Sequence, residues 1–299
     1  MQDPNAKTTY PTAPNASLNV TADRRHKTLI FHIGDPKTGS SSIQRALFDG
    51  SWSSPGASLA YPDQLNEIPL AKSLYPESPP AQSQQKFSAT AEWLLTRDEQ
   101  VAVLSAEHFS FVPPQVLQTA VAQYMPDCDR RIHVLAYVRP HASRLLSTYA
   151  QRVKTRGLQD SFEDFVQNSI RRGDFLYTPR FEKWRQVFGA AFTLRPFVRE
   201  QLHQGDIVAD FLHTVLGDSE IHLTGAGRQN ESPTLAHLAC LQLVQQVLRR
   251  ASMAQPLRHA LCSSLAKKLA CGPSAAGPRL KMPASLLSQL VEAYREDAA

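Results

Sequence analysis

The sequence predicts an α/β fold, a central, mainly parallel sheet flanked by helices with a helical C-terminal extension. Three observations predict it. Unbroken apolar runs, TLIFHI (28–33), VAVLS (101–105) and IHVLAYV (132–138), have the character of strands buried on both faces. Each leads on toward a helix-like segment, the alternation expected of parallel β-α units. The chain, 299 residues of which 42% are hydrophobic and 20% charged, is long enough to bury such a core.

Taken in order, residues 1–26 are rich in Pro, Thr, Asn and Ala without periodicity and read as a disordered lead-in, with residues 27–299 forming a single domain. The first strand runs into GDPKTGSSS (34–42), and IQRALFDG reads as a helix closed by Gly50. Six prolines punctuate residues 51–88, so 53–88 is expected to be a long loop insertion. A helix near 89–98 precedes the strand VAVLS, and IHVLAYV passes directly into a helix over 141–155. AFTLRPFV (191–198) is read as a fourth strand, with helices over 161–171, 179–188, 206–216 and 232–252. Residues 233–299 are expected to form a helical cap.

Several classes are excluded at this level. No uncharged run reaches the roughly 20 apolar residues of a membrane span, and the polar start lacks the apolar stretch of a secretory signal. A cytoplasmic location is expected. Cys128, Cys240, Cys262 and Cys271 have neither CxxC pairing nor zinc-finger histidine spacing, which points to reduced thiols and no metal. The net charge of +5 conceals a pattern: residues 130–156 and 249–281 each carry seven Lys/Arg and no Asp/Glu. Two positive blocks on an acidic background favour anionic ligands. For the second block a solvated helix face is the simpler expectation, and Leu257, Leu261, Leu265 and Leu269 at helical spacing read as core, although peripheral contact with an anionic surface is left open. Neither block is interleaved with the aromatics that nucleic-acid stacking needs.

The segment Gly34-Asp35-Pro36-Lys37-Thr38-Gly39-Ser40-Ser41-Ser42 lies between the first strand and its helix. In open α/β sheets ligands bind at the carboxyl ends of strands, where free amides and the helix dipole favour an anion. The spacing departs from GxxxxGK[ST], because Lys37 precedes Gly39, and no carboxylate of Walker-B type ends a strand. A Ser-rich helix cap is the structural alternative.

The order PKTGSSS resembles the 5′-phosphosulfate loop of sulfotransferases, PK[ST]G[ST][ST]. The second signature of that family, an arginine at a strand end and a serine eight residues on, is matched by Arg139 and Ser147 in YVRPHASRLLSTY. Ser105-Ala106-Glu107 and Arg228-Gln229-Asn230-Glu231-Ser232 are similar to segments of a bacterial sulfotransferase-like group; RPH replaces the Arg-Asn-Pro of many relatives. The resemblance spans about 28–235 and implies the P-loop NTPase-like sulfotransferase fold, with 3′-phosphoadenosine 5′-phosphosulfate as donor and no metal. It implies that Pro36, Lys37, Thr38, Gly39, Ser40, Ser41 and Ser42 hold the phosphosulfate, with Lys37 on the leaving group, and that Arg139 and Ser147 bind the 3′-phosphate. Arg144, Gln151, Arg152 and Lys154 extend the positive region.

For the base, Glu107 and His108 follow the VAVLS strand, and either a carboxylate or an imidazole can take a hydroxyl proton. Glu107 is preferred narrowly. His32 reads as structural. The expected activity is sulfuryl transfer to a hydroxyl or amine, with a carbohydrate or glycan as acceptor. The alternatives are a non-catalytic nucleotide or polyanion binder and a P-loop phosphoryl-transfer enzyme. Oligomeric state is not legible.

Overall fold

Strand β1 (Thr28–His32) is buried at every position, as its unbroken apolar run predicts. The computed structural model describes residues 27–126, 131–217, 219–224, 233–270 and 277–297, with the side chains of residues 267 and 270 left aside. After β1 come α1 (Ser40–Phe48), β2 (Trp52–Ser53), β3 (Leu59–Ala60), α2 (Ile68–Lys72), α3 (Pro80–Leu95) and β4 (Val101–Ser105). A 3-10 turn over Glu107–Phe111 leads to α4 (Pro114–Tyr124) and β5 (Arg131–Val138). Then follow α5 (His141–Arg156), α6 (Phe162–Arg172), α7 (Thr178–Phe188), β6 (Phe192–Pro196), α8 (Ile207–Leu216) and β7 (His222–Leu223). The chain continues through α9 (Leu235–Arg250), α10 (Gln255–Ala270) and α11 (Ala284–Ala293). The lead-in over 1–26, Cys128, Cys271 and the Arg228–Ser232 segment lie outside the described residues.

The main sheet has the order β3-β4-β1-β5-β6, and all four pairings are parallel. Both faces are covered. Leu29, Phe31, Ala102, Leu104, Val134 and Ala136 point to a layer containing Leu70, Phe87, Leu117 and Trp184. The alternate residues Ile30, Val101, Val103, Leu135 and Tyr137 meet Ile43, Leu47, Phe211, Leu212 and Val215 from α1 and α8. That two-residue alternation between two apolar layers is why the strands carry no polar face. Truncating fully buried Phe211 to alanine removes contacts worth about 3–5 kcal/mol.

One expectation is revised. Residues 53–88 do not form one long loop: they supply β3, which extends the sheet by pairing with β4, then α2 and the first half of α3. The helix expected near 89–98 therefore begins at Pro80, where a proline costs little because a first-turn amide has no helical acceptor. The described residues fall into two compact units, residues up to 139 with 177–228, and 140–176 with 229–298. Helices α5 and α6 belong with the C-terminal helices, because Leu145, Tyr149, Val153, Phe162 and Phe165 share a core with Leu238, Leu241, Leu286 and Leu290.

Candidate functional site

The chain leaves the central strand β1 for β3 and β4 on one side before crossing to β5 and β6 on the other. The carboxyl end of β1 is therefore a topological switch point. Backbone hydrogen bonds carry the parallel pairing beyond the strand: Ile33 N donates to Leu135 O (3.0 Å), Tyr137 N to Gly34 O (2.7 Å) and Asp35 N to Tyr137 O (2.8 Å). The loop is thus clamped to β5. Asp35 is fully buried and paired with Arg180 (2.8 Å), whose guanidinium lies over the Phe181 ring at 4.5 Å. The Thr38 hydroxyl donates to the Asp35 carbonyl (2.5 Å), so its proton is spent inside the loop.

Gly39 ends the loop at φ +86, with its carbonyl accepting from Ser42 N (2.8 Å) and Ile43 N (3.2 Å). A Cβ here would lie 3.0 Å from Ile207 and 3.2 Å from Phe197, so only glycine lets the chain pass. Having no side chain, Gly39 supplies no cap for α1, in contrast to Ser161 before α6 and Asp206 before α8. The Ser40 hydroxyl, in a residue 4% exposed, is buried without a hydrogen-bond partner among the described residues. Ser41 is exposed, and Pro36, Lys37 and Ser42 are half-buried. An uncapped helix start beside an unsatisfied buried hydroxyl is chemically suited to an oxyanion. The residues present thus fit the phosphosulfate end of a nucleotide donor.

Arg139 lies at the end of β5 with its guanidinium 4.6 Å from the centre of the Phe197 ring, the same ring that abuts Gly39. Phe197 N donates to Val138 O (2.6 Å), which ties this strand end to the segment after β6, and the Tyr177 hydroxyl, just before α7, donates to Arg139 O (2.8 Å). Ser147 is half-buried on α5, in the other unit, and its pairing with Arg139 rests on sequence spacing alone. Arg144 and Arg152 stack over Phe175 and Phe165 within that unit rather than extending an open cationic surface. Burial, reinforced by Arg156, lowers the Arg152 pKa.

The two base candidates differ in placement. Ala106 N donates to His32 O (3.0 Å), carrying β4 to the level of the loop. A Cβ on Gly34, whose φ is +95, would sit 3.0 Å from Glu107 Cβ and 3.1 Å from Glu107 Cα. The Glu107 backbone thus rests directly on the loop. His108 Nδ1 lies 2.9 Å from the Tyr75 hydroxyl; burial, then the charge of Lys72, lowers its pKa below the ordinary value.

Beneath the loop His32 Nδ1 meets the Ser105 hydroxyl at 2.8 Å, and the Gln44 amide donates to the same hydroxyl at 3.1 Å. His32 is fully buried in β1, and burial alone holds its pKa down to about 3. Glu67 N donates to Ser105 O (2.8 Å), which brings Glu67 to the end of β4. Its buried carboxyl accepts from the Gln64 amide (2.6 Å); burial raises its pKa, and that bond and the charge of Lys86 oppose the rise. A cavity of about 320 Å³ opens there, lined in part by Gln64, Glu67, Lys86, Thr90 and Trp93. Gln44, Glu67, Tyr75 and Arg180 have no motif and were not foreseen; only a strand at 59–60 would have drawn attention to the residues following it.

No family model and no curated protein matches the chain. Among solved structures, the crystal structure of a sulfotransferase from Alicyclobacillus acidocaldarius is similar to it at 17% identity, covering 91% of this chain and 92% of that one, with a TM-score of 0.47.

Proposed function

We propose that the protein is a sulfotransferase that moves a sulfuryl group from 3′-phosphoadenosine 5′-phosphosulfate to a hydroxyl acceptor. The observation that carries this reading is a single loop with an uncapped, Ser40-bearing helix start at one end and, at the other, Gly34 packed against the backbone of Glu107. A binding module needs the first of these; group transfer also needs a proton acceptor beside it. The resemblance of PKTGSSS and of the Arg139–Ser147 spacing to the sulfotransferase signatures supports the choice of donor.

In this reading the amides at the start of α1, with the hydroxyls of Ser40 and Ser41, hold the phosphosulfate oxygens, while Arg139 holds the 3′-phosphate. The acceptor oxygen bonds to sulfur as the sulfur–oxygen bond to the 5′-phosphate breaks. Glu107 takes the acceptor proton, and Lys37 balances the charge left on 3′-phosphoadenosine 5′-phosphate. His108, held by Tyr75, is the second base candidate. A saccharide acceptor is supported by the cavity beside Glu67, whose lining combines Trp93 with the hydrogen-bonding side chains of Gln64, Lys86 and Thr90.

Calorimetric titration with 3′-phosphoadenosine 5′-phosphate, ATP and ADP, repeated on Arg139→Ala, tests the donor assignment. Tight binding of the bisphosphate that depends on Arg139 is expected. No binding, or a preference for ATP with Mg²⁺, would replace sulfuryl transfer with another phosphate chemistry.

A further inference from the structure

The unit built from the C-terminal helices carries an apolar and basic surface that sulfuryl transfer does not use. From residue 232 to residue 291 the chain has seven Lys/Arg and no Asp or Glu. Within it α9 and α10, joined by residues 251–254, pack on each other and on α5. The short connection turns α10 back along α9. Leu243 and Val247 lie in the half of α9, and Leu257 and Leu261 in the half of α10, next to that connection.

Those four side chains are 61%, 54%, 59% and 50% exposed. The buried sides of the same helices are supplied by Leu238, Leu241 and Cys262. The leucine row read as core is therefore divided: Leu265 and Leu269 pack against the interior, whereas Leu257 and Leu261 face outward. Arg250 and Lys268 are exposed on the same helices. His259 Nδ1 donates to the Thr155 carbonyl (3.1 Å), which brings the basic last turn of α5 alongside.

Cations alone would suit any polyanion, and leucines alone would suit any apolar partner. An anionic bilayer uses both, because apolar side chains enter the boundary between headgroups and acyl chains while Arg and Lys remain at the level of the phosphates. We propose that the α9–α10 face docks on an anionic lipid surface. The proposal is independent of the transfer reading, since it rests on a different unit and a different observation.

The test is cosedimentation of the full chain with phosphatidylglycerol/phosphatidylcholine vesicles and with pure phosphatidylcholine vesicles. Binding to the anionic vesicles alone is expected, weakened at least about tenfold by Leu257→Glu with Leu261→Glu. Arg250→Ser and Lys268→Ser should each weaken it about fivefold. If the double glutamate variant unfolds, Leu243→Ser with Val247→Ser takes its place and should weaken binding in the same sense. Absence of vesicle binding, equal binding to neutral vesicles, or binding unchanged by the leucine and valine substitutions would overturn the proposal. So would self-association through these residues, or retention on soluble heparin, without vesicle binding.

Discussion

Gly34 is where the core and the candidate site touch, which makes Gly34→Ala a sharp test of the reasoning. The residue has φ +95, and an alanine forced into that region costs about 1–2 kcal/mol. Its methyl would also sit 3.0 Å from Glu107 Cβ and 3.1 Å from Glu107 Cα, atoms that no change of rotamer moves away. Overpacking of that kind adds about 1–3 kcal/mol. The loop cannot retreat cheaply, because Gly34 O and Asp35 N are both bonded to the Tyr137 backbone, at 2.7 and 2.8 Å. Relief therefore falls on Glu107. The expected result is a loss of about 2–5 kcal/mol in urea unfolding, with turnover falling by more than bisphosphate affinity, since the start of α1 stays in place. Gly50→Ala is the control: its φ is +61 but open space surrounds the added methyl, so only the backbone cost of about 1 kcal/mol and unchanged turnover are expected. A loss under about 0.5 kcal/mol in Gly34→Ala with normal turnover would refute the close packing of the loop on the Glu107 backbone.

Four further outcomes follow from the same geometry. Lys37→Ala should slow transfer about 10²–10³-fold with donor binding largely kept, as measured by single-turnover kinetics and calorimetry; near-normal turnover would remove the lysine from the mechanism. Glu107→Gln should cost at least about 10² in turnover and His108→Ala less than about tenfold. The reverse order would make His108 the base, with activity falling on the acid side of its lowered pKa and that limb moving upward in Lys72→Met. Asp210 is fully buried and accepts from Arg195 (2.8 and 2.9 Å), the Tyr137 hydroxyl (2.7 Å) and His203 N (2.8 Å). Asp210→Ala leaves a largely buried cation and a buried phenol unanswered, and should cost about 3–5 kcal/mol in urea unfolding; a cost near 1 would mean that Arg195 finds water. His32 binds its proton at about 3 when folded and 6.5 when unfolded, so the unfolded chain holds the extra proton between those values. Its contribution to stability is complete above pH 6.5 and is lost as pH falls toward 3, at up to about 1.4 kcal/mol per unit. His32→Asn should therefore flatten the decline of the urea midpoint between pH 6 and pH 4, and an unchanged slope would place the titration elsewhere.

What the sequence made legible was what is decided locally. VAVLS and IHVLAYV read as strands because both of their faces are buried, so no neighbour needs to be known to recognise them. The loop was legible because the constraints at Gly39 and the helix start beside it lie within a few residues. Strand β3 was not, since two residues carry no period and Leu59–Ala60 becomes a strand only through β4. The six prolines of residues 51–88 read as a loop, although proline belongs in a helix's first turn, and so half of α3 was assigned to that loop. The partners Arg180 for Asp35 and Tyr75 for His108 come from distant elements that only the fold brings to the site. The clearest case is the row Leu257, Leu261, Leu265 and Leu269. One spacing covers all four, yet the first two are exposed and the last two pack inward. A helical period says which residues share a face, but what that face meets depends on where the neighbouring helices end. Around α10 that division between covered and uncovered leucines falls within a stretch of sequence from which acidic residues are missing, and it is this coincidence, rather than the spacing, that points outward to a lipid surface.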